Sequence, residues 1–220
     1  MGIFHKCIAF ASFLALASCQ PRWAIQGAYQ FANNASLIQH DQIKVLKAPK
    51  FNIAFYTQAL IQNGQPLLAQ NIQFDRKTGR LLACSLTGGS VQAYHAQFLP
   101  GWMNLHSDAF GHEVVDQISL PEESLFHPGM ASYYPLILDE LWHLRVGQES
   151  LITMVHPPKG NLTKASYYLE QKTKTTRIYL YRNDSNVGTL TYRKSKGKWN
   201  LLKADLMNQN VPYTWERLKN

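Results

Sequence analysis

The residues best suited to chemistry lie close together in the segment HSDAFGHEVVD. It contains four candidate metal ligands, namely His106, Asp108, His112 and Glu113. If the chain were helical from His112, this residue and Asp116 would lie four residues apart on one helix face, a spacing that suits two ligands of one zinc ion. Glu113 would then be available as a general base. One alternative for this chain is therefore a metal-dependent hydrolase with zinc as its cofactor.

The same segment also contains features that oppose a metal site. Zinc proteases with the pattern HExxH have His at the fifth position, where this chain has Asp116. Gly111 and the β-branched pair Val114 and Val115 disfavour a helix around His112. We favour a polar loop that leads into a strand, and we predict no cofactor.

Motifs of other enzyme classes are no more convincing. No G-x-S-x-G elbow, P-loop, dinucleotide fingerprint or S-x-x-K motif stands where its chemistry would require it. The acidic pairs Glu122-Glu123 and Asp139-Glu140 fit helix charges better than a glycosidase pair. The catalytic residues are therefore unknown, and we lean towards a protein that is not an enzyme.

Aromatic residues offer a second kind of candidate site, because Tyr and Trp are dense in the second half of the chain. Aromatic rings with convergent polar groups line many ligand grooves. They are also favoured in strands, where they pack in the core. Packing is the favoured interpretation at any one position, and the candidate ligand contacts are Tyr133, Tyr134 and Trp142.

Two-residue alternation predicts the strands that must position these residues. FNIAFYTQALIQ, LLAQNIQF, RLLACSLT and SVQAYHAQF are separated by turn-forming residues and predict a β-meander. In the third of these strands Cys84 shares one face with Leu82 and Leu86, so it is predicted to be a small buried residue rather than a reactive thiol.

The middle of the chain, about residues 100–146, is predicted to be a helical insert. In SLPEESLF, Ser119 and Glu122 form a capping box that predicts a short helix ending before the following Pro-Gly pair. MASYYPLILDELWHL predicts a second helix, with Pro135 near its start and Gly147 as its stop.

Alternation resumes after the insert in SLITMVH, ASYYLEQ, TTRIYLYR, VGTLTYR and KWNLLKADL. Nine or ten strands then flank the helices. The predicted fold class is mainly β (α+β), an antiparallel curved sheet or incomplete barrel whose hollow is covered by a short helical insert. It forms a single domain over residues 51–220.

The first 18 residues have the order of an export signal, a charged start followed by the apolar run CIAFASFLALA and small residues. The run is shorter than the roughly 20 residues that span a bilayer. Its last residues and Cys19 read LASC, which resembles the lipobox of bacterial lipoproteins. This resemblance implies cleavage after residues 1–18 and a lipid on Cys19. Cleavage after Ala17, which leaves a free thiol, is the alternative.

The same resemblance implies a location in the bacterial cell envelope. Gln20, rather than Asp, follows the lipidated residue, which implies the periplasmic face of the outer membrane. Residues 19–50 are polar with little periodicity, so they are predicted to be the lipid anchor and a flexible linker, although DQIKVLKA within them could form a strand.

After removal of the signal the chain has a net charge of +7, and this charge is unevenly distributed along it. Residues 106–156 contain eight acidic and one basic residue, and they lie between two basic flanks. This polarity suits anionic partners such as lipid headgroups. No stacking motif accompanies the basic tail, so nucleic acid is not an expected partner.

The expected architecture is similar in outline to the half-barrels of periplasmic lipoprotein carriers and receptors, although no motif carries residues over from that family. The leading hypothesis is a lipid-anchored envelope protein without enzymatic activity that binds an apolar ligand or a protein partner in its curved sheet. The alternatives are the metal-dependent hydrolase and a structural or assembly accessory lipoprotein.

Overall fold

The computed structural model of the chain describes residues 26–48, 51–88, 93–109, 112–208 and 211–218. These residues form fifteen strands, one α-helix and one 3₁₀ turn. The strands are β1 (Gln26–Phe31), β2 (Asn34–Ala48), β3 (Phe51–Gln62), β4 (Gln65–Asp75), β5 (Leu81–Thr87), β6 (Tyr94–Leu99), β7 (Trp102–Ala109), β8 (His112–Ser119), β9 (Leu125–Phe126), β10 (Glu149–His156), β11 (Asn161–Lys172), β12 (Thr176–Asn183), β13 (Asn186–Ser195), β14 (Lys198–Asn208) and β15 (Val211–Arg217).

All fifteen strands belong to one sheet in the order β8-β7-β6-β5-β4-β3-β2-β1-β15-β14-β13-β12-β11-β10-β9. Strands β1 to β8 form one antiparallel meander, and β10 to β15 form another. The two meanders are joined by antiparallel pairing of β1 with β15, and β9 pairs with β10 in parallel.

Chain connectivity forces this sheet to curl. The edge strands β8 and β9 are joined directly, and the six steps from Ser119 to Leu125 can span about 21 Å. A flat sheet of this many strands would separate its edges by about 67 Å. The turn after β10 lies close to β8, because a Cβ atom added to Gly160 would be 2.9 Å from Cγ2 of Ile118.

The hollow of the curled sheet contains residues 127–142, which we call the plug. The plug begins with the 3₁₀ turn Pro128–Met130 and continues as α1 (Tyr134–Trp142). Residues 134–139 are all buried, as expected for a helix enclosed on every side. Pro135 is tolerated in the first turn of α1, and the helix ends at His143, which has a left-handed backbone (φ 50°).

The hydrophobic core lies between the concave face of the sheet and the plug. Side chains alternate between the two faces of each strand, and those on the concave face form the core. In β6, for example, Tyr94, Ala96 and Phe98 are buried and the residues between them are exposed. In β5 Cys84 is buried and free, as expected, and burial raises the pKa of its thiol to about 12.

The predicted fold class is confirmed, because the described chain is a large, curved, unclosed and mainly antiparallel sheet with one short helix in its hollow. The predicted meander corresponds to β3 to β6, and the five strands predicted after the insert correspond to β10 to β14. The predicted helix in MASYYPLILDELWHL is α1. It ends before Gly147, which lies in a later turn with φ 86°.

Other predicted elements are wrong. The flexible linker predicted over residues 19–50 is contradicted from Gln26 onwards, because β1 and β2 lie there and belong to the sheet. DQIKVLKA is indeed part of β2. The inner face of β2 carries polar residues such as Gln39 and Asp41, which interrupt the apolar alternation that indicates a strand.

The predicted insert over residues 100–146 is also too long. Its first part forms the hairpin of β7 and β8. With β1, β9 and β15, which were also not predicted, the described residues form fifteen strands rather than nine or ten. SLPEESLF does not form a helix, because Leu125 and Phe126 pair with β10 and both side chains are buried. Strand β15 was not predicted.

The lipobox and the predicted signal lie outside the described residues. Within the described part of the chain, no helix is long and apolar enough to cross a membrane.

Candidate functional site

A cavity of about 240 Å³ lies between the start of the plug and the second meander. The plug contributes its first residues, and β12 to β15 contribute one wall. This wall is formed where β12 ends and β13 begins, and where β14 ends and β15 begins. The lining residues are Gln58, Pro128, Gly129, Ala131, Ser132, His156, Tyr181, Asn183, Asn186, Leu190, Leu206, Tyr213 and Trp215.

The turn between β12 and β13 fixes the polar part of this wall. The side-chain carbonyl of Asn183 accepts hydrogen bonds from the backbone N–H groups of Ser185 (3.0 Å) and Asn186 (2.6 Å). Its side-chain amide donates to the hydroxyl of Tyr181 (2.6 Å). The hydroxyl of Tyr213 donates to Oδ1 of Asn186 (3.0 Å). These bonds hold two phenol rings in fixed positions at the cavity.

The indole of Trp215 is the least satisfied polar group at the cavity. Its ring stacks on Phe31, with centroids 5.5 Å apart and an angle of 18° between the planes. Its Nε1 is buried and has no hydrogen-bond partner among the described residues. A buried donor without a partner costs about 1–3 kcal/mol.

The start of the plug is bound to β2 and β3 through Asp41, which is buried. Its carboxylate accepts hydrogen bonds from Nε2 of Gln39 (2.8 Å) and from the hydroxyls of Tyr56 (2.9 Å) and Tyr133. Burial raises the pKa of Asp41, and the hydrogen bonds from Tyr133, Gln39 and Tyr56 oppose this change. Gln58 extends the network by donating to Tyr56 (3.0 Å).

His127 begins the plug and is buried as a neutral ring. Its Nδ1 accepts a hydrogen bond from the N–H of Gly129 (3.0 Å), and its Nε2 lies 3.3 Å from the side-chain nitrogen of Gln70 on β4. Its backbone N–H donates to the hydroxyl of Tyr134 (2.6 Å). Burial, with a smaller contribution from His156, lowers the pKa of His127 to about 3.

Tyrosines of the sheet bind the backbone of the plug beside the cavity. The hydroxyl of Tyr167 donates to the carbonyl of Ala131 (2.8 Å), and that of Tyr192 donates to the carbonyl of Ser132. These carbonyls lie between the 3₁₀ turn and α1, outside a regular helical ladder. The two hydroxyls therefore satisfy them without water.

The other end of the plug is fixed by charge. Asp139 of α1 is buried and forms salt bridges with Lys172 (2.9 Å) and Arg177. Lys172 also donates to the carbonyl of Leu144 (2.9 Å), and Arg177 lies over the ring of Trp199, 4.3 Å from its centroid. The acidic pair at this position is thus not a simple surface charge of the helix, because its first member is buried.

A larger and more open groove of about 740 Å³ runs over β1 to β4. Its lining is mainly small or polar, as in the row formed by Ala28, His40, Ala59 and Ala69. No aromatic residue is among the described residues that line it. The smaller cavity is the better candidate site, because it combines aromatic rings with fixed polar groups.

The four candidate metal ligands lie in the β7–β8 hairpin. His106 and Asp108 belong to β7, while His112 and Glu113 begin β8. The helix that would have placed His112 and Asp116 on one face is therefore absent, and this segment is a strand, as Val114 and Val115 favour.

The register of this hairpin divides the candidates. Asp108 pairs with Glu113, and Ala109 pairs with His112. Paired positions share a face of the sheet, and successive positions along a strand alternate between the two faces. The position of His112 is therefore on the opposite face from those of Asp108 and Glu113. The side chains of these three residues lie outside the described set. Among the described residues, no group of three or more His, Cys, Asp or Glu could hold a metal. The hydrolase alternative gains no support.

The candidate ligand contacts lie around the plug. Tyr133 and Tyr134 are fully buried and hydrogen-bonded, and Trp142 is 48% exposed at the end of α1. None of the three is among the described residues that line the cavity. Their role in binding stays a prediction.

Sequence reasoning did not identify Asp41, His127, Asn186 or the cavity at Trp215. Alternation of Tyr213 and Trp215 in VPYTWER was a usable signal, because it is typical of a strand with one aromatic face.

Comparison with known proteins gives one similar structure to report. No family model matches the chain, and no curated protein matches it significantly. Among solved structures, the chain is similar to a β-barrel-like protein of the domain of unknown function DUF1849 from Brucella abortus. The identity is 6%, the TM-score is 0.48, and the alignment covers 88% of this chain and 95% of that chain. We transfer no residue or activity from it.

Proposed function

We propose that this protein is a lipid-anchored binding module of the bacterial envelope, and that a small ligand binds in the cavity between the plug and β12 to β15. The cavity itself carries the proposal, because concave sites with aromatic walls and a few fixed polar groups are typical of ligand binding. Its volume of about 240 Å³ lies just below the usual range of about 300–1,000 Å³, so the ligand is small or only partly enclosed.

The attachment of the plug supports this proposal. Asp41 holds the start of the plug, and Asp139 holds its end. A cavity wall that is fixed at both ends needs little ordering when a ligand binds, which favours affinity. The absence of an identifiable catalytic set in the sequence makes binding, rather than catalysis, the simpler function.

Membrane attachment through Cys19 remains a proposal that rests on the lipobox. Strand β1 begins at Gln26, seven residues after Cys19. A lipid on Cys19 would therefore keep the sheet within about 25 Å of the bilayer surface. One acyl chain gives only marginal attachment, and two or more hold a protein stably.

The cavity is tested by filling it. We would use the mature chain from residue 19 with Cys19→Ser, which carries no lipid, and the fluorescent apolar probe N-phenyl-1-naphthylamine. Leu206→Trp places a larger side chain at the cavity, whereas Leu202→Trp adds the same side chain at an exposed position of the same strand. We expect Leu206→Trp to reduce probe fluorescence at least fivefold and Leu202→Trp to leave it unchanged.

Equal probe binding by both variants would show that the cavity is not the binding site. Attachment is tested separately by mass spectrometry of the N-terminal peptide from membranes. A diacylated Cys19 supports the anchor, and an unmodified peptide that begins at Ser18 contradicts it.

A further inference from the structure

The chemical character of the cavity wall limits what the ligand can be. Among the described residues that line the cavity, none is Asp, Glu, Lys or Arg. His156 is the only His among the described lining residues, and burial lowers its pKa, which favours the neutral ring. A charged ligand would lose its hydration without meeting an opposite charge, which is unfavourable.

The same wall has hydrogen-bonding capacity that the protein leaves unused. Tyr181 accepts a hydrogen bond from Asn183, and its own proton remains available to an acceptor. Oδ1 of Asn186 accepts from Tyr213, while its Nδ2 donates to no described residue. A purely apolar ligand would leave these donors without partners.

Aromatic rings accompany these donors. Trp215, Tyr181 and Tyr213 all line the cavity, and the indole is held in place by its stacking on Phe31. The face of an aromatic ring carries partial negative charge, so it attracts C–H groups with partial positive charge. The apolar face of a sugar ring presents such C–H groups, while its rim presents uncharged hydroxyl groups that accept and donate hydrogen bonds.

We propose that the ligand of this cavity is a neutral sugar ring, either a free sugar or the end residue of a glycan. This inference rests on the proposed function and names its ligand class. Hydroxyl oxygens of the ring accept hydrogen bonds from the hydroxyl of Tyr181 and from Nδ2 of Asn186. Leu190 and Leu206 form the apolar part of the wall.

Binding is tested by titration calorimetry on the mature chain with Cys19→Ser. The probes are N-acetylglucosamine and its β-1,4-linked tetramer as neutral sugars, glucuronate as a charged sugar, and octanoate as an acyl chain. We expect the neutral sugars to bind at least tenfold more tightly than glucuronate or octanoate. Tighter binding of the tetramer assigns a glycan end, and equal binding assigns a free sugar.

Tyr181→Phe tests the assigned contact, because it keeps the aromatic ring at the cavity but removes the hydroxyl. We expect it to weaken neutral-sugar binding about tenfold, the change that corresponds to one hydrogen bond of about 1.4 kcal/mol. Tyr168→Phe is the matched control, since this Tyr is 38% exposed on β11, and it should bind as the unmodified chain does.

A second variant, Asn186→Leu, tests the other donor and replaces Tyr181→Phe if that variant does not fold, as judged by circular dichroism. We expect it to weaken sugar binding by a similar factor. Tighter binding of octanoate than of sugars, or sugar binding unchanged in the folded variants, would overturn the inference. If Leu206→Trp abolishes binding of the apolar probe but no neutral sugar binds, this inference fails and the proposed function stands. If neither kind of ligand binds, both fail.

Discussion

The two ends of the plug are fixed by different chemistry. At its start, the plug is bound through a buried carboxyl group, Asp41, that meets only neutral donors, and through the neutral ring of His127. At its end, Asp139 meets two cations, Lys172 and Arg177. The start therefore responds to protonation of buried groups, whereas the end depends on charges that must remain paired.

This difference matters because the cavity borders only one of the two ends. Its lining includes Pro128, Gly129, Ala131 and Ser132, which belong to the start of the plug, and none of its described lining residues lies in α1. The ion pairs at Asp139 thus stabilise the fold, while the groups around Asp41 and His127 determine the wall that a ligand meets. Variants at the two ends should separate these roles.

The largest effect is expected at the charged end. Asp139→Asn leaves Lys172 and Arg177 without their buried partner, and breaking such a pair costs about 3–5 kcal/mol of the free energy of unfolding. Glu140→Gln is the control, because Glu140 is the next residue and is exposed. Urea unfolding at pH 7 measures both variants. A loss below about 1 kcal/mol for Asp139→Asn would contradict the role of charge at this end.

The next largest effect is expected at the start of the plug in acid. The unfolded His127 takes up a proton near pH 6.5, but in the folded protein its pKa is lowered to about 3. The unfolded state therefore binds more protons between these values, and stability is lost as the pH falls through this window. Between pH 7 and pH 5 the shifted pKa of His127 should lower the free energy of unfolding by about 2 kcal/mol.

His127→Gln removes this dependence while keeping a side chain that can form hydrogen bonds. We expect the free energy of unfolding of the variant to fall less than that of the unmodified chain between pH 7 and pH 5. His143→Gln, at an exposed position, serves as the control. Parallel pH profiles for His127→Gln and the unmodified chain would show that the ring is not the acid-sensitive group.

A smaller effect is expected when one donor to Asp41 is removed. Tyr133→Phe deletes a hydroxyl that donates a hydrogen bond to the buried carboxylate. We expect the free energy of unfolding to fall by about 1–2 kcal/mol. Tyr168→Phe removes a hydroxyl from a partly exposed residue of β11 and should change stability by less than about 0.5 kcal/mol. Thermal and urea unfolding measure both variants. Equal decreases in the free energy of unfolding would contradict a special role for the Tyr133 hydroxyl.

The sequence predicts this molecule best where one face of an element is apolar. Tyr94, Ala96 and Phe98 alternate with polar residues, so β6 was predictable, and the buried surface of α1 was visible in its spacing. Within β2 the sequence indicated a strand only in DQIKVLKA, because the polar Gln39 and Asp41 of the inner face interrupt the apolar alternation and imitate a linker. The side chains that donate to Asp41 include Tyr56 and Tyr133, which lie 15 and 92 residues away in sequence, so only the folded structure reveals them.

The cavity could not be predicted from local pattern for the same reason. Ala131 of the plug, Asn186 of β13 and Trp215 of β15 are distant in sequence, and they meet because the meanders curl around the plug. The metal-ligand candidates stay a prediction, but the helix assumed for His112 and Asp116 is a strand. In the observed hairpin His112 pairs with Ala109, on the face opposite to Asp108 and Glu113.

The smallest and most specific effect concerns the charge of Asp41 itself. Because burial raises its pKa, the folded protein binds this proton more tightly than the unfolded chain does. The folded state then binds more protons between the unfolded and folded pKa values, so this group lowers stability as the pH rises through that window. Asp41→Asn cannot ionise and keeps an oxygen that accepts from Tyr56.

We therefore expect the stability of Asp41→Asn, relative to the unmodified chain, to be more favourable at pH 7 than at pH 4. Urea unfolding at both values measures the difference, with Asp116→Asn, exposed on β8, as the control. A relative stability that is lower at pH 7 would mean that the carboxylate is stabilised by its donors. The start of the plug combines two opposite dependences, since acid destabilises the fold through His127 and favours it through Asp41. The charged end contains no such pair of opposed buried groups among its described residues.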